Sequence, residues 1–225
     1  MNDQSTFETL FERTFDIDDK ASAELGGEAV IIDHNIRLLL RENRIALAKG
    51  KSSPVQSNDL GLAYYDVPLI CVVMSHPECR FQWSRLIVDL SLTKEARICD
   101  MSPQEVRGNK PVELKTTIGA NLKFETVGKV LSFELAPEIA SSRTVYYPEI
   151  VSAGPGFTIG YWDFLALTSD YLHANRELRL LVSAPVGAPL QARFILRAKV
   201  KFAGVAGIIP LLARSGEINE IYRLD

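Results

Sequence analysis

The sequence predicts a mainly β (α+β) chain, an antiparallel β-sandwich preceded by a short N-terminal helical region, and three observations carry that expectation. In the run Ala192-Arg-Phe-Ile-Leu-Arg-Ala-Lys-Val-Lys-Phe202, apolar residues occupy every second position and Arg193, Arg197, Lys199 and Lys201 fall between them. Successive strand side chains point to opposite faces, so one row enters a core and the cationic row stays outside. From Pro68 onward, short apolar or alternating runs follow one another between turn residues, at the spacing of a sandwich or barrel. No strand pattern alternates with a long helical one, which argues against a parallel α/β sheet.

The elements follow in order. Ser5, with Glu8 three positions on, makes a capping box, and Phe7, Leu10, Phe11 and Phe15 fall on one stripe at helical spacing. A second helix is expected over 33–48, where Ile36, Leu39, Leu40 and Leu47 share a side and Gly50 follows as a stop. The breaker-rich stretch from Lys49 to Asp59 reads as a linker. The expected division is a helical region over 1–51, a linker over 52–67, a sandwich over 68–204 and a tail over 205–225. Leu69–Met74 is continuously apolar, as in a strand covered on both faces. Arg80–Leu92 alternates first with Phe81 and Trp83 inward, then with Leu86, Val88 and Leu90; a bulge near Arg85 accounts for the slip. Further strands are expected at 96–101, 112–118, 121–126, 131–135, 157–167 and 178–182. In the tail, Pro210 is expected to keep the apolar segment 205–213 from being a regular helix or a central strand.

A length of 225 residues with 47% hydrophobic content can fill a core, and a net charge of −3 lacks the basic excess that drives non-specific binding to nucleic acid. The start Met1-Asn-Asp-Gln-Ser-Thr has neither the basic nor the apolar part of a secretory signal, and no apolar run approaches bilayer-spanning length. These features lead to the expectation of a cytoplasmic protein without a membrane span.

Candidate chemistry is sparse. Cys71, His76, Cys79 and Cys99 form a donor set that zinc accepts, but no paired C-x2-C knuckle is present, so reduced thiols and no metal are expected. No G-x-S-x-G elbow is present, and His34, His76 and His173 have no evident nucleophile apart from Cys79 beside His76. Asp16, Asp18 and Asp19 do not match a calcium loop, and Gly154-Pro-Gly156 does not match a phosphate loop. No catalytic residue and no cofactor are expected. The candidate binding residues are Tyr161 and Trp162, adjacent and therefore on opposite strand faces, together with the cationic stripe Arg193, Arg197, Lys199 and Lys201. The resulting expectation is a non-enzymatic protein-binding or adaptor module, an assembly component with a protein partner or a second copy of itself. A sandwich gripping a small molecule, sugar or nucleotide is the alternative, and a hydrolase the third reading.

Overall fold

The computed structural model describes residues 7–17, 42–59, 61–117, 123–126, 140–166, 176–202, 209–213 and 221–225. Among these residues the protein is built of antiparallel strands: β1 (Glu8–Ile17), β2 (Arg44–Lys49), β3 (Ser53–Val55), β4 (Leu62–Met74), β5 (Cys79–Asp89), β6 (Arg97–Ser102) and β7 (Glu105–Thr117). The series continues with β8 (Lys123–Thr126), β9 (Ala140–Ala153), β10 (Ile159–Leu165), β11 (Arg176–Pro185), β12 (Gln191–Phe202), β13 (Ile209–Ala213) and β14 (Tyr222–Arg223).

Hydrogen bonding runs through the order β6-β11-β4-β2-β1-β13-β12-β5-β10-β9-β7-β8, with β3 added to β4 and β14 to β12. Strand β1 is the corner. Its residues from Glu8 to Thr14 pair with β2, whereas Phe15 to Ile17 pair with β13. The sheet folds about that corner into two layers, and they meet again where Ile98 N–H donates to Phe157 O (2.9 Å) and Gly156 N–H to Ile98 O (2.7 Å). Two facing antiparallel sheets of this kind are compatible with a sandwich.

One core fills the space between them, with Ile45, Leu47, Val67, Leu69, Leu178 and Leu180 from one layer against Leu86, Val88, Trp162, Phe164, Leu196 and Val200 from the other. Gly160 permits the closest approach: a Cβ there would lie 2.7 Å from Ile98 Cδ1 and 2.8 Å from Met101 Sδ. Gly154 takes φ +138°, and any side chain on it would strike the backbone of Gly160, so the β9–β10 turn requires glycine.

Several expectations are corrected. The N-terminal helix is strand β1, and Arg44–Lys49 is strand β2 rather than the end of a second helix; residues 33–41 lie outside the described residues. Phe7, Phe11 and Phe15 recur every four residues, which is two pleats of a strand as well as one helical turn, and Phe11 and Phe15 are buried on that basis. The expected linker contains β3 and the start of β4. The phase slip in β5 falls at Gln82, which the register skips between Trp83↔Lys199 and Phe81↔Val200. Cys79 and Phe81 therefore share the inward face with Ser84, Leu86 and Val88, and Trp83 is turned out of the core.

Pro210 also stands in a strand flanked on both sides, since β13 lies between β1 and β12. Among the described residues Pro210 pairs with Lys199 of β12, and the rungs to β1 run from Phe15↔Ala213 to Ile17↔Leu211. Farther on, β14 pairs with β12, Leu224 N–H donates to Leu190 O (2.9 Å), and Leu224 is buried. The expected strand at 131–135 lies outside the described residues.

Candidate functional site

The outward face of β12, β5 and β10 holds a cluster that the register assembles row by row. Lys199, Trp83 and Leu165 are abreast, then Arg197, Arg85 and Asp163, then Ile195, Ile87 and Tyr161, then Arg193, Asp89 and Ile159. Because alternate residues share a face, each row places its three side chains side by side.

Asp163 organises the centre. Its carboxylate accepts two hydrogen bonds from the Arg85 guanidinium, both 2.7 Å, and one from Trp83 Nε1 at 3.1 Å. The guanidinium also stacks on Tyr161, 3.9 Å from the ring centroid, and lies 5.3 Å from the Trp83 centroid. Lys199 Nζ approaches the Trp83 ring at 5.6 Å. Fork-to-carboxylate and cation–π contacts reinforce one another here, because each fixes the plane the next contact needs. Hydrogen bonding to Asp163 pushes Arg85 above its already high value, so its charge is permanent.

The expected site residues divide. Tyr161 is half-buried within the cluster. Trp162 is wholly buried, and its Nε1 has no hydrogen-bond partner among the described residues; it belongs to the core. Arg197, Lys199 and Lys201 are exposed along β12, and Arg193 is half-buried opposite Asp89. Arg197, Lys199 and Lys201 have no carboxylate partner among the described residues. Trp83, Arg85 and Asp163 were missed. A Trp-x-Arg on one strand and a Tyr-x-Asp on another were visible signals, but their meeting depends on strand order and on the bulge at Gln82.

Cys71 and Cys79 are buried free thiols, and Cys99 is a half-buried one. Burial pushes Cys71 up to about 12. Cys79 is also raised, chiefly by burial and against a hydrogen bond that Asn43 Nδ2 donates to its sulfur at 3.2 Å. His76 lies in the β4–β5 turn with Nε2 3.3 Å from Glu42, and its Nδ1 accepts from Glu78 N–H. His34 and His173 lie outside the described residues. Among the described residues no three metal-binding side chains are grouped, and no helix is long and apolar enough to cross a membrane, which leaves open crossing by strands.

A second feature is the arm formed by β7, β8 and β9. Strand β9 pairs with β10 only from Ile150 to Ala153, whereas β7 and β9 stay paired from Glu105↔Val151 out to Thr117↔Ala140, with β8 on the far side of β7. The arm thus extends as a narrow ribbon past the strand that joins it to the body.

No family model and no curated protein matches this sequence. Among solved structures the chain is similar to Clostridium perfringens delta-toxin, with 10% identity and a TM-score of 0.37 over 77% of this chain and 81% of that one. It is also similar to the membrane-inserted form of the Clostridium perfringens NetB toxin, with 10% identity and a TM-score of 0.32 over 80% and 88%. A structure described as a pore forming protein matches at 10% identity with a TM-score of 0.22, over 80% and 78%. These neighbours run against a cytoplasmic adaptor or assembly component, and that reading of the sequence is withdrawn together with its location. At such TM-scores the likeness carries nothing further.

Proposed function

We propose that this chain is a membrane-inserting β protein, in which the folded sheet serves as a sandwich body and the arm supplies strands to a transmembrane β-barrel completed by further copies of the chain. The observation that carries the reading is the length and patterning of the arm. Beyond the part of β9 that β10 covers, β7 and β9 stay paired from Arg107↔Pro148 to Thr117↔Ala140, with β7 irregular between Arg107 and Pro111; the eight steps of β9 at about 3.3 Å each span roughly 26 Å, against the apolar band of about 25 Å on a transmembrane barrel.

The sequence alternates over the rungs from Val112 to Lys115. Val112 is in register with Val145 and Thr126, and Leu114 with Phe124 and Arg143, whereas the intervening positions are Glu113, Lys115, Lys123, Glu125, Ser142 and Thr144. Alternation of this kind suits a strand with lipid on one side and water on the other, with Arg143 the charged exception in the less polar row. Among the described residues the ribbon has three strands and two open edges, and hydrocarbon does not tolerate the unpaired backbone groups of such edges. Closure therefore calls for several copies. The reading involves no covalent chemistry.

Release of a trapped dye from lipid vesicles tests it. Leu114→Asp, which charges the less polar row, is expected to abolish release, whereas Glu113→Lys, in the polar row, leaves it within about threefold of wild type, because a lumen position tolerates charge. Equal effects of the two substitutions, or no release by the wild type at micromolar protein, would contradict the reading.

A further inference from the structure

We propose that the outward face of β12 and β5, centred on Arg197, Lys199, Lys201 and Arg80, is a docking surface for an anionic lipid bilayer. The inference deepens the membrane reading and rests on it. Its own support is electrostatic. The protein carries a net charge of −3, yet these four cations sit together and all are exposed.

The register places like charges directly opposite each other, Arg197 against Arg85 and Lys201 against Arg80. Such pairs destabilise a sheet. Asp163 neutralises Arg85, but no carboxylate among the described residues answers Arg197, Lys199, Lys201 or Arg80. Side chains two residues apart on a strand are about 7 Å apart, within the screening length of about 10 Å at 0.1 M salt, so the cations act as one patch. A layer of phosphate and carboxylate headgroups offsets the repulsion that the fold leaves standing.

The flanking groups favour a bilayer over a small anion. Tyr161 and Trp83 already hold Arg85 and Lys199 on their faces, so neither ring is free to stack on a small ligand. What remains is an open cationic surface edged by half-buried Trp83, Tyr161 and Ile195, a composition suited to the headgroup zone, where Trp and Tyr concentrate and each Lys or Arg adds attraction to acidic lipid.

The test is co-sedimentation of the full chain with phosphatidylcholine vesicles with and without phosphatidylserine. Arg197→Ala/Lys199→Ala is expected to weaken binding to the acidic vesicles about 30-fold, from about fivefold per cation. Lys51→Ala/Lys94→Ala makes the same charge change at two other exposed positions and is expected to alter binding less than threefold. Circular dichroism of both variants confirms that they are folded. Equal losses in the two variants, equal binding to vesicles without acidic lipid, or displacement by millimolar inorganic phosphate would each overturn the docking surface, the last by identifying a small-anion site. Dye release separates the two proposals: release that persists when Arg197 and Lys199 are removed overturns docking alone, and acidic-lipid binding without release overturns the barrel alone.

Discussion

Cys71 shows how burial alone sets the chemistry of a side chain. It lies in β4 opposite Leu47 of β2, wholly enclosed, and its thiol is pushed up to about 12. A thiol in the unfolded chain ionises near pH 8.5, so the folded state holds its proton more tightly. The stability this contributes is intact below the unfolded value and declines as pH rises toward the folded one. Replacing Cys71 by Val removes the titration while adding one methyl group, a change that is the same at every pH. Between pH 9 and pH 10 wild type is expected to lose about 1 kcal/mol more than Cys71→Val in urea denaturation; equal losses would show that the thiol is not sealed. The burial of Cys71 was legible from the apolar run around it, and so were the cations of β12. Trp83 was not, because whether it faces inward depends on a one-residue bulge, and a bulge at Gln82 or at Arg85 fits the same alternation.

At the scale of elements, the strands with clean alternation among the described residues from Leu69 to Phe202 were readable, whereas β9 and the two ends of the chain were not. Spacing of four residues satisfies both periodicities, so Phe7, Phe11 and Phe15 could not separate helix from strand; pairing of β1 with both β2 and β13 decides it. Pro210 misled for a related reason: the cost of a proline in a strand depends on whether a neighbour needs its missing N–H, which the sequence does not show. The meeting of β10 with β6 rests on an absent side chain. In Gly160→Ala the new Cβ would lie 2.7 Å from Ile98 Cδ1 and 3.0 Å from the carbonyl oxygen of Ala153, and the backbone atom has little room to yield. The substitution is expected to cost about 1–3 kcal/mol, as overpacking does. Denaturation within about 0.5 kcal/mol of wild type would mean that the layers do not close there.

For the whole molecule, a search for an apolar helical span does not speak to a crossing made by strands. A strand that crosses a membrane needs only every second residue apolar, so its signal disappears in the average, and Val112, Leu114 and Phe124 read as ordinary sheet. What sets the arm apart is where its pairing lies, beyond β10, and that is a property of topology rather than of any residue. Strand β10 lies between the cationic face and the arm, pairing with β5 on one edge and with β9 on the other, so the proposed docking surface and the proposed inserting ribbon belong to one continuous sheet. The most direct measurement attaches an environment-sensitive fluorophore to single cysteines at positions 112, 113, 114 and 115, in a Cys99→Ser background where the remaining thiols are buried. On adding acidic vesicles, labels at Val112 and Leu114 are expected to shift to the blue and those at Glu113 and Lys115 to stay in water. The same response at all four positions, or none at any, would contradict insertion of the arm as barrel strands.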